Sequence, residues 1–328
     1  MEESNKRAGE RQPIGYELLL LFVTLLWGST FVAQSVAMDN VKPFTFVFAR
    51  FLISAMIVGL IAFTAGKVRK NAERKAQKTV VKIDLKRTAI GGFMCGLALF
   101  TASITQQYGL VTTTVGEGSF ISSCYVAFVP VAGLLIGKKP PATAWLGVAM
   151  AVVGLYFISV ERGSDGLHIS KGNLFMLASA LCYTWQIMVI DHYSHGTDLL
   201  WMACFEFATI AVLAGIATAL FEKPSLEAIK AVWFPIFYAG VVSGSFCYTL
   251  QMVAQKHIEA TLASLIMGTE AVFATLSGWL ILHEHIGWYK LIGCGLVMIA
   301  IVVAQLPGGA LPGIERSGNK ALPHEEKQ

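Results

Sequence analysis

Four ionisable residues stand where apolar chain surrounds them: Arg50, Glu117, Glu206 and Glu270. A charge at the centre of a hydrophobic helix costs about 2.5–3.5 kcal/mol to insert, so each should face a cavity, a ligand or a partner. Arg50 offers a planar fork of N–H donors that suits a carboxylate or phosphate anchor. It suits a structural ion pair equally well, and Glu117 is the carboxylate predicted to lie within reach; both readings stay open. Glu206 and Glu270 are carboxylates in low dielectric, where the neutral acid is favoured and proton exchange moves towards neutral pH. Glu270, nearest the middle of its apolar run, is the best candidate for proton coupling or for holding a substrate ammonium. Its plainer alternative is a protonated carboxyl bonded to a neighbouring helix.

Around these charges, Trp27, Tyr108, Tyr183, Trp185, Gln186, Tyr248 and Gln251 could line an amphipathic cavity. There aromatic faces would stack on a ligand and amides would fix its orientation. Each could equally pack against lipid or core. His283-Glu284-His285 is not a metal site by spacing, because adjacent helical positions do not share a face; a turn or helix cap explains it. Asp191-His192-Tyr193-Ser194-His195 reads as a loop. The six cysteines all lie in apolar runs without CxxC spacing and read as buried thiols. The chain carries no Walker, GxGxxG or GxSxG motif, so ATP-driven transport by this chain alone is not expected; no cofactor and no resident metal is expected either.

The elements that must hold these residues are membrane helices. Of 328 residues 55% are apolar and 14% charged, against about 25% charged in a soluble domain. Alternating ten-residue strands are missing, which argues against a β-barrel. Ten candidate spans follow, at 16–38, 43–66, 88–110, 114–137, 143–160, 172–190, 199–221, 231–253, 260–282 and 286–306. The first is longer than the apolar core of a signal peptide. Basic residues crowd the 67–87 loop and both termini, while the opposite loops hold few; both termini are therefore expected in the cytoplasm. The basic loop could also lie on anionic lipid as an interfacial helix. The formal charge of +4 belongs to these loops and gives no reason to expect nucleic-acid binding. The tails 1–14 and 307–328 read as cytoplasmic, the second as disordered.

The spans repeat. A shift of 148 residues lays Gly92, Gly96, Thr101 and Gln107 on Gly240, Gly244, Thr249 and Gln255. A shift of 146 lays Lys138 on Glu284 and Gly147 on Gly293, and one of 156 lays Arg50 on Glu206. GxxxG at one offset in both halves marks a duplication as well as close helix packing. Five spans per half force the second half (171–306) to enter the membrane opposite to the first (15–160). The expected fold is an all-α integral membrane protein of ten helices in two inverted five-helix repeats, with its site near the midplane between them.

Several short motifs carry a family resemblance over residues 15–306. They are Leu26-Trp27-Gly28-Ser29-Thr30-Phe31, Phe48-Ala49-Arg50-Phe51, Phe128-Val129-Pro130, and Leu282-His283-Glu284 followed by Gly293. In order and spacing they resemble the EamA family of the drug/metabolite transporter superfamily. Lys138 departs from the pattern, standing where many members carry the counterpart of Glu284. So does Ala271, which follows Glu270 where a proline is common. The resemblance implies a ten-helix bundle in the plasma membrane that moves a small metabolite, often outward: an amino acid, a nucleobase or an amphipathic drug-like solute. An importer of the same fold is the nearest rival. A membrane enzyme acting on lipid or isoprenoid would need acidic or histidine residues clustered at one face, and here they are scattered.

Overall fold

The computed structural model describes residues 14–76, 84–138, 140–159, 170–283 and 286–306. The expected tails, the middle of the basic loop, the link at 160–169 and Glu284-His285 lie outside the described residues. Every regular element among the described residues is helical. They are α1 (Ile14–Met38), α2 (Pro43–Ala76), α3 (Leu85–Leu110), α4 (Val115–Ser122), α5 (Tyr125–Leu135), α6 (Ala142–Ser159) and α7 (Lys171–Tyr193). There follow α8 (Leu199–Phe221), α9 (Leu226–Ala231), α10 (Trp233–Tyr238), a π-helical stretch (Ala239–Tyr248), α11 (Thr249–Gln255), α12 (Ala260–Met267), α13 (Glu270–Leu282) and α14 (Trp288–Ala304). Eight runs among the described residues are long and apolar enough to cross a bilayer; 142–157 and 288–304 are shorter apolar helices.

Helix starts follow from their caps. The side chains of Asp84, Thr114, Ser170 and Asp198 accept from the first-turn N–H groups of α3, α4, α7 and α8, which otherwise have no partner. The cap of α2 comes from another helix end. Buried Glu222, just past α8, accepts from Phe44 N (3.0 Å), Thr45 N (2.7 Å) and Thr45 Oγ1 (2.6 Å). A carboxylate there also meets the positive end of the helix dipole. His283 ends α13 in the left-handed conformation (φ 56°), so the cap reading of that turn holds for it.

The paired GxxxG motifs do the packing their spacing suggested. A Cβ added at Gly92 would lie 2.5 Å from Met202 O, and one at Gly96 would lie 2.6 Å from Thr209 Cβ, so α3 seats directly on α8. In the other copy, a Cβ at Gly240 would lie 2.8 Å from Arg50 O, so the π-helical stretch seats on α2. Elsewhere α3 lies along α7, α2 along α8, α1 along α13 and α6 along α14. Leu60, Phe63, Leu220 and Leu280 are among the large apolar side chains on the outside of the bundle, as a lipid-facing surface requires.

Three spans depart from the continuous helices expected. The fourth breaks at Ser123-Cys124 and the ninth at Gly268-Thr269. At both, the ladder tightens to i→i−3 bonds: Cys124 N to Ile121 O and Thr269 N to Ile266 O, each 3.1 Å. The eighth is assembled from α10, ten π-helical residues and α11. The sixth runs on to Tyr193, so Asp191-His192-Tyr193 is helix rather than loop. The second runs to Ala76, into the basic stretch.

Candidate functional site

A cavity opens where the broken spans meet α1, α3, α7 and the π-helical stretch. Clefts between the helices of a bundle are a usual place for small-molecule sites. α1 contributes Trp27, Thr30, Phe31 and Gln34, a stripe at i, i+3, i+4 and i+7 on one face of the helix. α7 contributes Tyr183, Gln186 and Ile187 by the same spacing. Gln106, Tyr125, Ser243, Tyr248, Gln251, Met267 and Glu270 complete the wall. The π-helical stretch supplies both Ser243 and Tyr248; such geometry recurs at functional sites.

The polar groups are tied to one another in part. Tyr183 Oη donates to Gln106 Oε1 (3.0 Å), and Gln106 Nε2 donates to Ser122 Oγ (3.0 Å). The Tyr183 and Tyr248 hydroxyls are 3.5 Å apart. Trp27 and Tyr248 pack with ring centroids 5.0 Å apart. Glu270 begins α13 immediately after the break, and its Oε1 lies 3.5 Å from Ser123 Oγ at the break in the fourth span. Trp27 Nε1 and Gln251 Oε1 have no hydrogen-bond partner among the described residues. Buried groups left so cost about 1–3 kcal/mol each, and these stand ready for a ligand.

Six of the residues singled out from the sequence border the cavity: Trp27, Tyr183, Gln186, Tyr248, Gln251 and Glu270. Two lie one side chain behind it. Gln186 Nε2 donates to Glu206 Oε1 (3.1 Å), and Gln251 Nε2 donates to Gln186 Oε1 (3.2 Å), so buried Glu206 reaches the cavity through amides. Arg50, 1% exposed, donates Nη1 to the wall residue Gln34 (2.8 Å).

The expected pairing of Arg50 with Glu117 is a correction. Glu117 accepts from Asn173 Nδ2 (2.8 Å); the two stand in the first turns of α4 and α7, three residues after the caps Thr114 and Ser170. Tyr108 packs between Phe44 and Phe175, and Trp185 is 39% exposed. Neither borders the cavity. Gln34, Gln106, Tyr125 and Ser243 were missed. Gln34 was findable as an amide seven positions from Trp27, on the same face of the helix. Ser243 was not, since its facing depends on the π-helical turn.

At one end of the bundle a charged cluster joins distant parts of the chain. Lys138 past α5 pairs with Asp191 near the end of α7. Glu259, before α12, lies close enough to feel both. Burial pushes its carboxyl up from the usual range, Lys138 pulls it back and Asp191 adds to the rise. No group of three or more metal-ligating side chains occurs among the described residues.

The model of the EamA-like transporter family matches the chain twice, at residues 14–160 and 170–305. The chain belongs to the EamA-like transporter family. This EamA-like chain is 28% identical over 291 residues to an uncharacterized transporter of Archaeoglobus fulgidus, covering 88% of this chain and 85% of that one. It is 27% identical to the uncharacterized transporter YoaV of Bacillus subtilis, covering 86% and 94%. Over 180 residues it is 26% identical to the threonine/homoserine exporter RhtA of Escherichia coli, covering 53% and 57%. A protein crystal structure shares the fold with a TM-score of 0.67 at 19% identity, covering 88% of this chain and 96% of the other. As an EamA-like transporter the protein is a multi-pass membrane protein. Its Trp-Gly pair has a plain physical use here. Trp27 walls the cavity, and a Cβ on Gly28 would come within 2.6 Å of Ala274 N, so glycine lets α1 close on α13.

Proposed function

We propose that this chain is a secondary transporter of the plasma membrane that exports a small metabolite by alternating access around the cavity. The observation that carries the reading is that segments from both family matches wall one cavity, with Glu270 at one helix break lying against Ser123 at the other. Broken helices at a shared site are how inverted-repeat transporters hold solutes and ions.

The proposed architecture is ten helices in two inverted repeats, 15–160 and 171–306, with both termini cytoplasmic. Its support is the exchange symmetry of the contacts. α4 packs on α13 and α5 on α12, so the fourth and ninth spans run antiparallel across each other. GxxxG of the third span seats on the seventh as GxxxG of the eighth seats on the second. Outward direction, and an amino acid as first candidate solute, draw on the relatives named threonine/homoserine exporters.

Glu270 is the proposed coupling or ammonium-binding group, with Glu206 behind it and Trp27, Tyr183, Gln186, Tyr248 and Gln251 as contacts. The test compares the medium of cells overproducing the protein with that of cells making Glu270→Gln at equal membrane level. One class of small molecule enriched only with the parent is the expected result, with the parent's efflux varying with pH. Equal media from both would overturn export through Glu270.

A further inference from the structure

We infer that Arg50 holds the anionic group of the solute, and that this group is a carboxylate. The inference rests on the transport reading above and adds which side chain takes which charge.

Arg50 is a buried cation whose counter-ion is missing. Its Nη1 is taken by a neutral amide, Gln34, while Nε and Nη2 have no hydrogen-bond partner among the described residues. The carboxylates of the apolar runs contact other groups: Glu117 accepts from Asn173, Glu206 accepts from Gln186 through one of its oxygens, and Glu270 lies 3.5 Å from Ser123 Oγ. No ion pair to Arg50 occurs among the described residues.

The two free groups are not scattered. Nε and Nη2 form one edge of the guanidinium, and the spacing of that edge matches the two oxygens of a carboxylate. The plane is held in place by the rings of Phe51 and Phe46, 4.7 and 5.4 Å from Cζ. Phe51 in turn packs on Tyr248 of the cavity wall, centroids 6.1 Å apart, and Gln34 borders the cavity itself. The guanidinium thus sits just behind the cavity wall, one side chain away through Gln34, with its carboxylate-binding edge buried and unpaired.

A soluble solute fits this place better than a lipid headgroup. α2 is covered at this level by the π-helical stretch: Ser54 Oγ donates to Gly240 O (2.8 Å), and Gly240 leaves no room for a side chain against Arg50 O. Arg50 therefore faces inward rather than the bilayer.

The test uses the purified full chain in nanodiscs of zwitterionic lipid. Thermal stability is read with L-threonine, L-phenylalanine and benzoate, each against its partner without a carboxylate (1-aminopropan-2-ol, 2-phenylethylamine and benzyl alcohol). Inorganic phosphate at matched ionic strength, and discs of anionic lipid, are further arms. At least one carboxylate should raise Tm where its partner does not. Arg50→Gln should weaken that binding about 30-fold or more. Gln34→Glu, which keeps the guanidinium but gives it an internal counter-ion, should do the same and serves if Arg50→Gln does not fold. Equal shifts from the partner compounds, carboxylate binding that survives both substitutions, or shifts from phosphate or anionic lipid alone would each overturn the proposal. So would no carboxylate shift at all. Release of preloaded solute from liposomes is scored separately, so a protein that moves amines or neutral solutes would keep the transport reading and lose this one.

Discussion

Buried charges in this chain do three different jobs, which their neighbours decide. Glu270 borders the cavity, Glu117 sits among helix caps, and Glu222 holds the start of α2 through three hydrogen bonds. Glu222 drew no attention in the sequence because it follows a span rather than interrupting one. Its removal exposes first-turn N–H groups that have no other partner, so Glu222→Ala should destabilise the protein by about 1–2 kcal/mol. The change should appear as a lower Tm with the cavity's ligand response intact; an unchanged Tm would show that water caps α2 equally well. Arg50 and Glu117 illustrate the reverse error. Both stand near helix starts in the sequence and carry opposite charge, so pairing was the natural expectation. The N-cap network around Thr114 and Asn173 captured the carboxylate first.

At the scale of the element, the glycines and the breaks matter more than hydropathy. α3 approaches α8 so closely that a side chain at Gly96 meets Thr209 Cβ and Glu206 O at under 3 Å. Gly96→Val should therefore force the pair apart and cost about 1–3 kcal/mol by overpacking. It should also disturb Glu206, which lies on the contacted face of α8. A Gly15→Ala control has nothing within 4 Å of its added Cβ and should leave Tm unchanged. The GxxxG spacing made this packing legible, since only small residues permit such an approach in lipid. The helix breaks were not legible. Ser123-Cys124 and Gly268-Thr269 are polar and small, but such pairs also occur within unbroken membrane helices. At the second break Thr269 Oγ1 meets Thr24 Oγ1 of α1 at 2.8 Å, a contact between residues 245 positions apart that no local pattern announces.

Across the whole molecule, the cluster of Lys138, Asp191 and Glu259 links the two stretches that match the family. Lys138 departs from the family pattern in sequence, and the structure gives that departure a partner. The pair is partly exposed, with 27% and 19% of the side-chain surfaces open, so its worth is about 1 kcal/mol at most. Lys138→Ala should speed amide exchange at the ends of α5 and α7 by about five-fold, as an equilibrium shifted by that energy requires. Exchange unchanged at both ends would remove the pair as a clamp between the two stretches.

Composition and run length alone determined that this is a helical membrane protein, because a bilayer core leaves a mostly apolar chain few other ways to satisfy its backbone. Sequence alone also located the repeated GxxxG spacing and its small-residue contacts, and it singled out six residues of the cavity wall as aromatic, amide or charged side chains inside apolar runs. Only the tertiary structure decided where Arg50 points, what each carboxylate contacts, and that Gln106 and Ser243 complete the wall. Those outcomes depend on pairs of side chains far apart in the chain and on π-helical and broken turns that rotate one face against another. No periodicity within one helix encodes them.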